Sequence, residues 1–185
     1  MSAKVTVVLE DAVPVFDERD KECVGMFKLH RVLKSILGSA LSKSGNLQIY
    51  IHSTKNVLIE MSHLFDIPDD PSEFNEVMHY LLRRYSVKAA NGVFLAKVIK
   101  NPIESHLPPK SMRMKLCSRG NRINIDDMKA SIENGVVFFI IMDAEENRGI
   151  ENEDNICVSV SSYKLSVENC CMKLAYMLEE ILAVF

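Results

Sequence analysis

Residues Val136 to Met142 read VVFFIIM, seven apolar side chains in a row with no polar member on either alternate set. Successive side chains of an extended chain point to opposite faces, so such a run suits a strand that is covered on both sides. It predicts an α/β fold in which this strand is central. The run then enters acid directly, through Asp143, Glu145 and Glu146, with no glycine until Gly149. In α/β proteins the carboxyl end of such a strand is the usual ligand-binding edge, so this loop is the first place to look for function.

The rest of the chain supplies partners for that strand. Lys4 to Glu10 reads as another buried strand. Met26, Leu29, Val32, Leu33, Ile36 and Leu37 recur at helical spacing. LQIYIHS and VLIEM, joined by TKN, predict a β-hairpin near residues 46–61. A proline-broken loop follows, where Asp70 or Ser72 caps a helix running from about Glu73 to Tyr85. VFLAKVIK, a short segment near Met112 to Leu116 and ICVSVS are further strands. A short helix near Ile125 to Ile132 and a final apolar-striped helix from Val167 complete the order. Strands alternating with helices predict one mostly parallel sheet with helices on both faces, in a single domain over residues 1–185.

Composition narrows the partners. The 185 residues carry a net charge of −3 and are 48% hydrophobic, so nucleic acid could be held only through a local patch. No apolar run approaches a membrane span, and MSAKVTVVLEDAV lacks the form of a signal peptide. Five cysteines with no CxxC or Cys/His spacing are expected to be free thiols, and no metal site is expected. Asp143, Glu145 and Glu146 read as a solvated surface loop, without the partner ligands a cation would need. His106, in ESHLPP, suits either a structural or a functional imidazole.

Four stretches carry a resemblance: SGNLQIYIHSTKNVLIEM (44–61), LLRRYSVKAANG (81–92), KVIKNPIESHLPP (97–109) and VSVSSYKLS (158–166) before the final helix. In that order they resemble the nucleolar essential protein family of ribosome biogenesis factors. Those are SPOUT-class methyltransferases that modify ring nitrogen 1 of a pseudouridine in small-subunit rRNA. The resemblance implies an α/β knot, with a C-terminal trefoil crossing, a homodimer, and S-adenosyl-L-methionine bound at the knot. It also implies partners among small-subunit rRNA and pre-ribosome assembly factors, and a nuclear, nucleolar location. No membrane association is implied.

The resemblance places the cofactor loops at Leu116, at Ile141 to Glu146, and at Val160, Ser161, Ser162, Tyr163, Lys164 and Leu165. Two family glycines fall on Ile141 and Glu146, where a side chain now stands in place of a close backbone approach. Lys164 replaces a proline. On the RNA face three family arginines fall on Asp66, Asp69 and Glu73, turning cations into anions. A basic set remains in Arg83, Arg84, Lys110, Arg113, Lys115, Arg119 and Arg122, read either as an RNA-contact surface or as a solvated face. No catalytic residue is assigned. Three functions stay open: an rRNA pseudouridine methyltransferase whose activity is kept, weakened or lost, a non-catalytic assembly scaffold that keeps fold and dimer, and a new ligand or metal site in the emptied cleft.

Overall fold

The computed structural model describes residues 5–14, 24–100, 102–142 and 156–184. Eight strands form one sheet: β1 (Val5–Ala12), β2 (Leu47–Ser53), β3 (Leu58–Met61), β4 (Ser86–Lys88), β5 (Phe94–Ile99), β6 (Met112–Arg122), β7 (Val136–Ile141) and β8 (Ile156–Ser159). Their spatial order is β4-β5-β3-β2-β1-β7-β6-β8. Pairing is parallel from β2 through β1, β7 and β6 to β8, and antiparallel among β2, β3, β5 and β4. The apolar run at 136 is therefore an interior strand. β7 bonds to β1 on one side and β6 on the other, and Val136, Val137 and Phe138 have no exposure at all.

Helical spacing becomes packing on one face of this sheet. In α1 (Val24–Leu37), Leu29, Val32, Leu33 and Ile36 are buried against Val5, Val7 and Leu9, the outward set of β1 on that side. Burying each such side chain contributes about 1.5–3 kcal/mol. α3 (Pro71–Arg84) adds Phe74, Met78 and Leu81 to the same core. Its start is built locally: Asp70 is the N-cap, its carboxylate accepting from the Ser72 N–H, with Pro71 in the first turn. The short helices α2 (Ala40–Lys43) and α4 (Ile125–Ser131) contribute Leu41 and Met128. α5 (Val167–Leu182) contributes Cys171, Leu174, Ala175 and Leu178. Burial pushes the Cys171 thiol up to about 12, so it packs as a neutral side chain.

The opposite face carries Val8, Tyr50, Val137 and Phe139, closed by Ile103 of the 3-10 turn Ile103–Ser105 and by Leu107. His106 lies on this cover, its ring 6.0 Å from that of Tyr50.

Two sequence expectations change. The segment at Met112 does not stop at Leu116; β6 runs eleven residues to Arg122. CSRGNR has no apolar pattern to announce a strand, and it is extended because β8 pairs with it, Asn121 opposite Val158. The cysteines are not all free either. Cys117 and Cys157 are bridged, Cα–Cα 6.2 Å, while Cys170 and Cys171 keep their thiols outside any disulfide. Cys157 lies opposite Lys115, which puts the two sulfurs on the same side of adjacent strands, a proximity that forty residues of sequence separation conceal.

Candidate functional site

A cavity of about 550 Å³ opens beyond the carboxyl ends of the parallel strands β6, β7 and β8. β6 supplies Lys115 through Arg119, and β7 supplies Ile140 and Ile141. The end of β8 and the following loop supply Ser159, Val160, Ser161, Tyr163, Lys164 and Leu165. The first turns of α5 close one side through Val167, Glu168 and Cys170, and α1 contributes Lys28 and Arg31. The Cys117–Cys157 bridge also lines it.

Hydrogen bonds hold the walls in place. The Ser159 hydroxyl donates to the Ser161 carbonyl and accepts from the Ser161 N–H, and the Ser161 hydroxyl accepts from the Tyr163 N–H. These short loops shape the backbone after β8 without a proline. Lys28 Nζ donates to the Met142 carbonyl at 3.3 Å, tying α1 to the exit of β7. Glu168 is held by Arg31 at 3.7 Å and by the Ser35 hydroxyl at 3.3 Å. It also sits in the first turn of α5, where a carboxylate is favoured by the helix dipole. The cavity therefore has apolar walls, a hydroxyl-rich rim and a cationic mouth, with Tyr163 at its edge 81% exposed.

Seven of the nine positions expected to hold a cofactor meet here: Leu116, Ile141, Val160, Ser161, Tyr163, Lys164 and Leu165. Ser162 is not among the lining residues. Glu146, like the other acids of 143–154, lies outside the described residues. Asp66, Asp69 and Glu73 are all exposed, in the loop before α3 and in its first turn. Asp69 is ion-paired with Lys34 of α1, so its reversed charge is partly neutralised. Asp66 and Asp69 border a separate groove of about 310 Å³ with Lys34 and Lys43.

The basic set does not form one surface. Lys115 and Arg119 face the cavity, and Arg113 lies two residues back along β6. Lys110 precedes that strand and Arg122 ends it, both exposed. Arg83 and Arg84 end α3, next to β4, at the far side of the sheet. Six strand spacings of about 4.8 Å separate β4 from β6.

Sequence reasoning missed one polar pair, a buried carboxylate with a half-buried imidazole. Glu10, 6% exposed at the end of β1, meets His52 at the end of β2, Nδ1 to Oε2 2.7 Å. The His52 Nε2 reaches the Asn56 side-chain oxygen at 2.9 Å. Only the parallel register of β1 and β2 brings these residues together, although an acid ending an apolar strand was a local clue. Desolvation raises the Glu10 pKa above its usual 4.5, opposed by the hydrogen bond and charge of His52 and reinforced by Asp11 and Glu104. Burial alone would lower His52 from 6.5, but bonds to Asn56 and Glu10, with the charges of Glu10 and Asp11, outweigh it and raise the pKa.

Both groups hold their proton more tightly folded than unfolded, so their contributions are full at low pH. Stability is lost as pH rises above 4.5 through the raised Glu10 pKa, and above 6.5 through that of His52. Thermal unfolding is expected at a lower temperature near pH 8 than near pH 5.5, and Glu10→Gln/His52→Gln should flatten that difference. An unchanged slope in the double variant would contradict the assignment.

The parallel strands, and a ligand-sized cavity past their ends where the expected cofactor positions gather, define an α/β protein with a small-molecule site at the carboxyl edge of its sheet. The model for the EMG1/NEP1 methyltransferase family matches residues 29–179, and the chain belongs to that family. It is 35% identical over 161 residues to the mouse protein named ribosomal RNA small subunit methyltransferase NEP1, covering 84% of this chain and 64% of the mouse protein. The human protein of that name matches to the same extent. The fission yeast relative, ribosomal RNA small subunit methyltransferase mra1, is 31% identical over 159 residues, 84% of this chain and 44% of its own. The chain thus spans less than two thirds of the length of these curated relatives. Among solved structures, Archaeoglobus fulgidus Nep1 bound to S-adenosylhomocysteine superposes with a TM-score of 0.79. It covers 99% of this chain and all of that one at 12% identity, a likeness of fold.

Proposed function

We propose that this chain works as a single domain that holds S-adenosyl-L-methionine in the cavity and methylates ring nitrogen 1 of a pseudouridine in small-subunit rRNA. The observation that carries the reading is the convergence of seven expected cofactor positions on one cavity. Its volume is within the usual range for small-molecule sites. Leu116, Ile140, Ile141 and Leu165 offer apolar walls for a flat base, and the Ser118, Ser161 and Ser166 hydroxyls offer bonds to a polar tail. When bound, the cofactor supplies an electrophilic methyl group. The chain's own part is to fix geometry, which is where most of the rate gain in such a transfer arises. Lys115 and Arg119, at the cavity, are placed to attract an RNA phosphate and bring the target base to the mouth.

Family membership supports a nucleolar site of action, partnership with pre-ribosome assembly factors, and a trefoil crossing through which α5 returns to α1 and α2. A homodimer is supported by α5, which leaves Met172 and Tyr176 exposed one turn apart.

A second reading, an assembly scaffold without catalysis, is favoured by one specific observation. Ile141 puts a branched side chain into the cavity where the family has glycine. Calorimetric titration with S-adenosylhomocysteine separates the two. Micromolar binding is expected, and Ile141→Gly is expected to bind about tenfold more tightly, about 1.4 kcal/mol, as the backbone becomes approachable. Absence of binding by both proteins leaves the scaffold.

A further inference from the structure

Charge is unevenly divided along this chain. From Val77 to Ile125 there are ten Lys and Arg residues and one acid, Glu104, while the rest has twelve cations and twenty-four acids. Part of that basic stretch lines the cavity. Arg83, Arg84, Lys88 and Lys97 lie instead at the opposite end of the sheet, where the proposed reaction has no use for them.

There, α3 ends in Arg83 and Arg84, both exposed, and neither forms an ion pair with any described residue. Tyr80 lies three and four residues earlier, on the same helical face, and is 55% exposed. Tyr85 closes the helix in the left-handed conformation, φ 62, with its ring 66% exposed. β4 and β5 then set Lys88 opposite Phe94, with the Lys88 ammonium 4.3 Å from the ring centroid and Phe94 47% exposed. Lys97, the other cation nearby on β5, is already paired with Glu60 at 3.0 Å.

Cations in the last turn of a helix favour its dipole, which accounts for Arg83 and Arg84. It does not account for three exposed aromatic rings set among them. Rings interleaved with unpaired cations suit an unpaired nucleic acid strand, whose bases stack while its phosphates meet the guanidinium and ammonium groups. An acidic peptide added to the sheet edge is poorly served, because β4 offers only three residues of strand. A duplex would leave the rings without a base face to cover.

We infer that the end of α3 and the β4–β5 hairpin form a contact surface for single-stranded RNA, separate from the cavity and about six strand spacings from it. It acts as a sequence-tolerant anchor for a strand flanking the one presented at the cavity. The acidic loop at the other end of α3 makes the helix polar in this sense, so the strand approaches the Arg83 end and is repelled from Asp66, Asp70 and Glu73. In its choice of RNA this rests on the proposed function, but it uses none of the cavity residues.

The test is fluorescence anisotropy of a labelled oligouridylate of about a dozen nucleotides, at about 50 and 200 mM salt. The parent protein is expected to bind, more weakly at the higher salt. Arg83→Ala/Arg84→Ala should lose about tenfold in affinity and lower the log–log salt slope by about 1.4. Phe94→Ala should lose about fivefold or more while keeping the slope. Tyr80→Ala serves the same purpose should the Phe94 variant unfold. Absence of oligouridylate binding overturns the inference. So does a loss confined to Lys115→Ala/Arg119→Ala, or equal competition by polyglutamate. S-adenosylhomocysteine titration of the same proteins tests the cavity independently. The α3 variants should bind it as the parent does, and a parent that binds uridylate but not this ligand would sink the methyltransferase reading alone.

Discussion

Gly120→Ala is expected to lower stability by about 2–3 kcal/mol and S-adenosylhomocysteine affinity at least tenfold. Replacing glycine by alanine usually stabilises by about 0.4–1 kcal/mol, because the unfolded chain loses freedom. Here the added methyl would lie 2.6 Å from the Val158 backbone nitrogen and carbon and 2.7 Å from the Cys157 carbonyl carbon. Those are main-chain atoms of a paired strand, and no side chain can rotate away to make room. β6 and β8 must part at the shift in register between Leu116 and Asn121, the stretch that supplies Cys117, Ser118 and Arg119 to the cavity. Ser159 and Ser161 would move with β8. For a chain of this length the melting temperature should fall by about 5–10 °C. Calorimetry and thermal unfolding of the one variant check both parts, and an unchanged or raised melting temperature would refute the close approach.

Phe138→Ala is expected to cost about 3–5 kcal/mol, a large fraction of the total stability of an ordinary domain. Phe138 has no exposed surface and sits at the middle of β7, opposite Val7 of β1 and Met114 of β6. Both neighbouring strands are held by main-chain bonds, so the sheet cannot collapse into the vacated space. The loss should therefore include the cavity term as well as the transfer term. Urea unfolding should show a lower midpoint with little change in slope. Phe138→Leu, which keeps most of the volume, should cost less, about 1–1.5 kcal/mol. Equal costs for the two would mean that the site relaxes freely and the packing argument is wrong.

Much of the fold was legible because local rules and the global arrangement agree. VVFFIIM reads as a strand covered on both sides, and β7 is interior. Apolar residues at helical spacing mark α1, α3 and α5, while the sequence leaves the cap of α3 open between Asp70 and Ser72 and the structure places it at Asp70, with the helix starting at Pro71. β6 was legible only in its first half, since Cys117 to Arg122 is polar and gains its extended form from β8. The expected cofactor positions came from a resemblance, and the fold draws seven of them around one space. The basic set was legible as a composition but not as two places. Arg84 and Lys110 are twenty-six residues apart in the chain, and the strand order sends them to different ends of the sheet.

By itself, the sequence determined the α/β class, the central strand, the three long amphipathic helices and the family, because each rests on periodicity or motifs within a short window. Only the tertiary structure decided that Glu10 meets His52, that Cys117 meets Cys157, and that Gly120 must stay bare beneath Val158. Each of those contacts joins strands distant in the chain, and their register is set by the packing of the whole sheet. No window of residues holds that information, since one step of register would turn every side chain of a strand to the other face.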